Sequence, residues 1–408
     1  MAATDLAQRM HDLVRSIGDD GGKVPAKRSP FWAGLTALGS RLWLDTGDIA
    51  AAEALWCDAF SGLTTNNTLL NKEVQTGAYD AFIPQAAGLV ADLGERDAVL
   101  EIAFALNARH GLRLVHRFGA WVSVELHTDL AHDAERSIAY GLRYHAICPE
   151  RFIVKIPFTA AGLLAARALG ERGIPVNFTL GFSARQNHLI TAFARPAYVN
   201  VFLGRLNAYV KDNGLGSGDL VGEKAMLASQ REVTALDHGK GRTKHIAASL
   251  RSAAQVRALG GCDVYTIPTA VAAAAVKELD GTWSDQREAR HEVVVSGDPR
   301  ALGLERLWEV TKAERALAAD LAAKPPSRAD ELVARAHAAG CGDLFPRMSD
   351  ADNARIAADG KIPKHPAWAA RIAAGELAID SLLSLAALAS FSADQAALDR
   401  RIVENRGR

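Results

Sequence analysis

Eight short β-type runs alternate with helix-like stretches along the first two thirds of this chain, and that rhythm constrains the fold most. The runs are 41–46, 62–66, 121–126, 151–157, 175–182, 197–205, 244–250 and 264–268. Stretches such as 159–172 and 252–260, with helical spacing of apolar residues, separate them. A strand–helix unit repeated eight times predicts a parallel sheet closed into an α/β (β/α)8 TIM barrel. An open doubly wound sheet fits less well, because no glycine-rich phosphate fingerprint follows the first run.

With 408 residues the chain is longer than a barrel needs. Three parts are expected: an N-terminal helical segment (1–40), the barrel (41–280) and a C-terminal helical subdomain (281–408). That last part is alanine-rich, and Ser327 with Asp330 and Ser392 with Gln395 read as helix-start capping pairs. Packing on the barrel or oligomerisation is its expected role. The stretch 71–120 has room for extra helices, and the glycine-rich span 206–243 reads as a flap near the site.

Lys+Arg and Asp+Glu both number 47, so bulk charge gives no case for nucleic acid or an anionic membrane as partner. The apolar runs read as too short and interrupted to span a bilayer. Four scattered cysteines without zinc spacing suit a reducing compartment and core positions. The charged N-terminus, with no apolar segment, is not expected to be a signal peptide. Together these predict a cytoplasmic protein.

Within the fourth run, Phe152-Ile153-Val154-Lys155-Ile156-Pro157, a lysine interrupts an apolar strand. A buried ammonium must find a partner or give up its proton, and a neutral lysine is a nucleophile toward ketones and aldehydes. Side chains alternate across a strand, so other runs should send polar groups to the same barrel interior. Asp45 ends the first run. Thr64 shares a face with Asn66, Ser123 with Glu125, Asn177 with Thr179, Asn200 with Phe202, and Ser249 with Arg251; Arg205 closes the sixth run. Taken singly, Asp45 reads equally as a helix cap, Asn66 and Asn177 as turn residues, and the arginines as surface charges. Polar placement coordinated over so many strands is better explained by a shared site, since buried polar groups need partners.

Strand by strand, these stretches resemble the transaldolase family of class I aldolase barrels. The matching segments are Leu42-Trp43-Leu44-Asp45, Gly62-Leu63-Thr64-Thr65-Asn66 with Thr68-Leu69-Leu70, and Val122-Ser123-Val124-Glu125. They continue with Ile153-Val154-Lys155-Ile156-Pro157, and with Val176-Asn177-Phe178-Thr179-Leu180 followed by Phe182-Ser183 and Gln186. Phe202-Leu203-Gly204-Arg205 and Ala248-Ser249-Leu250-Arg251 complete the series, in the family's order over roughly 41–280.

The resemblance implies transfer of a dihydroxyacetone unit from a ketose phosphate, fructose 6-phosphate or sedoheptulose 7-phosphate, to an aldose phosphate, as in the pentose phosphate pathway. It implies a Schiff base on Lys155, proton transfer by Asp45, and a water held by Glu125 and Thr179. Asn66 and Asn177 would bind the three-carbon unit, with Asn200 and Phe202 at the donor end, and Arg205, Arg251 and Ser249 would hold phosphate. No metal and no cofactor is implied, because the protonated imine is itself the electron sink. A homo-oligomer is possible within the same reading. Related fructose 6-phosphate aldolases typically carry tyrosine at the position of Phe202 and glutamine at that of Glu125, so both positions point to transfer. The chain departs from the family pattern at Asn67 (usually proline), His127 (usually aspartate, read here as a supporting or surface histidine) and Asn200 (commonly serine). A fructose 6-phosphate aldolase-type lyase, a transaldolase-like enzyme of a specialised pathway and a non-catalytic sugar-phosphate-binding protein are the alternatives.

Overall fold

The computed structural model describes residues 3–17, 22–236 and 241–407. Eight parallel strands close into a barrel in sequence order, β1 (Arg41–Asp45), β2 (Phe60–Thr64), β3 (Trp121–Glu125), β4 (Phe152–Pro157), β5 (Val176–Thr179), β6 (Tyr198–Phe202), β7 (Lys244–Ala248) and β8 (Val264–Pro268). The strands are buried almost throughout, as a parallel sheet covered by helices on its outside requires.

Register explains part of the sequence. Trp43 pairs with Gly62 and Thr266 on the neighbouring strands, and its ring meets Tyr198 of β6 at 4.8 Å between centroids. A Cβ at position 62 would lie 2.7 Å from the indole, so the large side chain on β1 requires glycine on β2. Trp43 and Tyr198 therefore fill the barrel two residues below Asp45 and Asn200. That packed floor confines polar chemistry to the C-terminal ends of the strands.

The strand runs read from sequence were too long at several ends. Asn66 does not continue β2; it caps the helix Asn67–Gln75, its Oδ1 accepting from the Leu69 amide at 2.8 Å. Arg205 lies not on β6 but in the helix Leu203–Asp212. The span 71–120 holds the helices Phe82–Leu89 and Glu95–Phe118. Most of 206–243 is helical too, in Leu203–Asp212 and Val221–Ala235; residues 237–240 of that expected flap lie outside the described residues.

Before the barrel come the helices Ala3–Arg15 and Pro30–Ala37. After β8 and the helix Thr269–Glu278, the chain has no regular helix until the short turn Leu304–Leu307, which corrects the expectation of helix from 281 onward. It is held instead by contacts such as Trp283 Nε1 donating to the Phe31 carbonyl at 2.9 Å. Helices Lys312–Ala323, Ala329–Ala338, Asp350–Asp359, His365–Ala373 and Ile379–Asn405 follow. Neither expected capping pair starts a helix. Ser327 precedes the N-cap Arg328, and Ser392 lies inside Ile379–Asn405. The capping boxes are Thr311 with Glu314 and Ser349 with Asp352.

The terminal helix Ile379–Asn405 is by length and composition alone apolar enough to cross a membrane, against the sequence expectation. Half of its most apolar window is buried inside the protein, where it packs on Asn67–Gln75 and Glu95–Phe118. A buried ionic cluster anchors this region. Arg185 donates to both carboxylate oxygens of Asp380 at 2.8 Å, and to Asp343 and Glu314 at 2.8 and 3.0 Å. All four cysteines are free and buried, as their core reading requires.

Candidate active site

A cavity of about 190 Å³ opens at the C-terminal ends of the strands. Lys155 on β4 reaches it with a nearly buried side chain. Its Nζ donates to the Thr65 carbonyl at 3.1 Å and to Glu125 Oε2 at 3.4 Å. The register of β3 and β4 sets this pair directly side by side. The buried ammonium thus has a carboxylate partner, and both sit on the barrel interior.

Burial pushes the Glu125 carboxyl above the ordinary carboxylate range, against the opposing charge and hydrogen bond of Lys155. Asp45 is raised likewise by burial, opposed by the Lys155 charge, the Thr64 hydrogen bond and the Arg251 charge. Thr64 Oγ1 donates to Asp45 Oδ1 at 3.0 Å and also meets the hydroxyl of Thr266. Carboxyls with raised affinity for a proton beside an amine are equipped for acid–base work.

On the other side, Asn177 Nδ2 donates to Ser123 Oγ at 3.0 Å, and Asn200 Nδ2 to Asn177 Oδ1 at 3.4 Å. Asn200 Oδ1 in turn accepts from the Gly181 amide at 3.4 Å. These bonds line up two amides along the wall above Tyr198.

Two arginines form the cationic end. Arg205 is 5% exposed, and its Nη1 has no hydrogen-bond partner among the described residues. Burial and the neighbouring Arg251 charge push its guanidinium down to about 10, against the pull of Asp394, so it stays charged at neutral pH. Arg251 Nη2 lies 3.4 Å from Ser249 Oγ as donor. Ser249 has a left-handed backbone, φ 63°, a strained conformation for a residue with a side chain and one that recurs at functional sites. The turn after β6 passes so close to this strand end that a Cβ at Gly204 would lie 2.1 Å from the Ser249 carbonyl oxygen.

Nine of the eleven residues expected from sequence line this cavity. They are Asp45, Asn66, Lys155, Asn177, Asn200, Phe202, Arg205, Ser249 and Arg251. Glu125 and Thr179 do not line it. Glu125 is joined to it through Lys155, while Thr179 is fully buried, its Oγ1 without a partner among the described residues, and pairs in register with Pro157. His127 is a buried supporting residue. Its Nδ1 accepts from the Asp129 amide at 3.0 Å, so Nε2 carries the proton and faces Asp399 Oδ1 at 3.3 Å. Asn67 is buried at the first position of its helix, and its backbone amide hydrogen-bonds to Glu125, a bond that a proline there could not make.

Thr266, Lys361 and Phe391 also line the cavity, and sequence reasoning missed them. Thr266 was signalled by its aliphatic hydroxyl in the run Val264–Pro268, which is otherwise apolar apart from the phenol of Tyr265. Lys361 and Phe391 come from the C-terminal segment and had no signal at all.

Fold and site together define a (β/α)8-barrel enzyme centred on a buried lysine–carboxylate pair with an arginine-lined mouth. Sequence comparison agrees. The chain matches the family model described as transaldolase/fructose-6-phosphate aldolase over residues 42–314, and it belongs to that family. It is 31% identical over 232 residues to the transaldolase of Xanthomonas euvesicatoria pv. vesicatoria, covering 55% of this chain and 71% of that one. It is 35% identical over 234 residues to a probable transaldolase of Thermus thermophilus, covering 56% of this chain and 87% of the other. The family match runs past residue 280, where the sequence reading had ended the barrel, and stops before most of the C-terminal helices.

Proposed function

We propose that this protein is a transaldolase, a transferase that moves a dihydroxyacetone unit from a ketose phosphate to an aldose phosphate through a Schiff base on Lys155. The observation that carries the reading is the pairing of Lys155 Nζ with Glu125 at 3.4 Å, in a barrel whose cavity also presents the buried, unpartnered Nη1 of Arg205. One end of the cavity suits a carbonyl carbon and the other a phosphate, which arginine side chains and a serine hydroxyl bind well.

In this mechanism the Lys155 amine adds to the ketone carbon of the donor. The carbinolamine then loses water, with Glu125 returning and taking the protons. Thr179, whose hydroxyl is buried without a partner among the described residues, is assigned with Glu125 to that water. Asp45 removes the proton from the hydroxyl β to the imine carbon. The carbon–carbon bond breaks, its electron pair moves into the enamine, and an aldose phosphate leaves. Addition of the enamine to a second aldehyde reverses these steps, with Asp45 returning the proton to the new alkoxide. Asn66, Asn177 and Asn200 hold the hydroxyls of the three-carbon unit, and Phe202 supports Arg205, whose guanidinium carbon lies 5.8 Å from the ring centre.

The test is transfer from fructose 6-phosphate to a four-carbon aldose phosphate, scored as formation of the seven-carbon ketose phosphate. The wild type forms it and a folded Lys155→Ala variant does not. Appreciable transfer by that variant sinks the Schiff-base assignment, and release of free dihydroxyacetone without transfer by the wild type would make the protein a lyase.

A further inference from the structure

The helix Ile379–Asn405 lies outside the family match, yet it places one apolar side chain in the cavity. Phe391 is 4% exposed, and its ring centre is 5.9 Å from Lys155 Nζ and 5.8 Å from the Arg205 guanidinium carbon. The helix is fastened on several sides of the barrel mouth. Ser384 Oγ donates to the Leu180 carbonyl just after β5 at 2.9 Å and accepts from Gln186 Nε2 at 3.1 Å. Asp394 accepts from Thr68 beyond β2, and Asp399 faces His127 beyond β3. The helix backbone that carries Phe391 is thus tied down on both sides of that residue.

We propose that Phe391 is a specificity-determining residue that protects the Lys155 imine from water, and so sets the balance between transfer of the three-carbon unit and its release. This inference rests on the function proposed above. The competing step is hydrolysis. The enamine carbon first takes a proton from solvent, giving the imine. Water then adds across the carbon–nitrogen double bond, the carbinolamine collapses with cleavage of the carbon–nitrogen bond, and free dihydroxyacetone leaves as the Lys155 amine is regenerated. An apolar ring beside Nζ restricts the approach of that water. Its face also favours a cation at this position, as the protonated imine is. A residue that merely fills space would influence both fates of the intermediate alike, whereas a guard against water alters their ratio.

The experiment measures free dihydroxyacetone against seven-carbon ketose phosphate, with fructose 6-phosphate as donor and a four-carbon aldose phosphate as acceptor. For Phe391→Ala the ratio of release to transfer should rise about two- to thirtyfold, the range a cation–π contact spans from exposed to desolvated sites. Phe391→Leu and Phe391→Met keep apolar bulk and preserve the fold if alanine does not; a smaller rise is expected, since the aromatic face is lost. An unchanged ratio in every folded variant overturns the proposal, even if turnover falls. Borohydride trapping separates the two layers of the argument. The reduced adduct on Lys155 should form in the wild type and in each variant, and its absence in the wild type would refute the imine itself rather than the role of Phe391.

Discussion

Replacing Arg185 with methionine should strip the anchor from the C-terminal helices at a cost that can be worked from their contacts. The guanidinium is fully buried and holds Asp380 through two bonds of 2.8 Å. Glu314 and Asp343 would keep a second cation, Arg306, at 3.3 and 2.8 Å. Asp380 would be left with the Ser183 hydroxyl at 2.6 Å and the Ser381 amide at 2.8 Å. The loss is therefore mainly that of one buried carboxylate deprived of its cation, about 3–5 kcal/mol. Urea unfolding followed by tryptophan fluorescence reads it, with Trp308 and Trp368 reporting from the affected region. The pH dependence adds a sign. Burial pushes Asp380 up, but the charge and hydrogen bonds of Arg185 outweigh it and hold the carboxyl below its ordinary value. Its stabilisation is thus present above the unfolded value near about 3.9 and is lost as pH falls through the lower folded value. In the variant only the upward push of burial and the weaker bonds remain, so its deficit should shrink on acidification. A loss below about 1 kcal/mol at neutral pH, the scale of an exposed ion pair, would refute the reasoning.

Arg205→Ala should raise the Michaelis constant for phosphorylated donors by roughly ten- to a hundredfold, the worth of a charge-assisted hydrogen bond, with little change for an unphosphorylated ketose. Equal effects on both would remove the phosphate role. Asp45→Asn should lower turnover by about 10²–10⁴, as loss of a general acid–base does, while leaving the fold more stable at neutral pH. The sign follows from the raised carboxyl of Asp45: its charged form is disfavoured in the fold, so the variant's advantage appears as pH rises above the unfolded value and vanishes below it. His245, pushed down to about 3 by burial and by the Arg242 charge, is neutral in the fold, and its share of stability should drain away as pH falls below about 6.5. A His245→Gln variant should show a flatter acid limb in thermal melts, and an unaltered limb would show that this histidine does not drive acid unfolding.

The barrel was legible because eight apolar strand runs alternate with helical stretches, and the interior positions interrupt those runs with lysine, carboxylates and amides. The same rule misplaced Asn66 and Arg205. Both follow a strand closely enough to extend its pattern, but Asn66 turns to cap a helix and Arg205 rides on one. Asn66 shows that a capping role and a site role need not compete, since it also lines the cavity. Ser392 with Gln395 has the spacing of a capping box and still lies within a helix, because burial of one face of Ile379–Asn405 outweighs a local preference. Phe391 and Lys361 reach the site only through tertiary packing of a segment that follows the last strand by many residues. No local pattern marks a phenylalanine on a largely buried helix as a neighbour of Lys155.

Whether Lys155 forms a covalent imine is the central claim, and mass spectrometry of the protein reduced with borohydride in the presence of fructose 6-phosphate tests it most directly. The account predicts a reduced three-carbon adduct that peptide mapping assigns to Lys155 and that is missing from Lys155→Ala. A folded wild-type protein that turns over the donor yet carries no adduct, or carries it on another lysine, would contradict it.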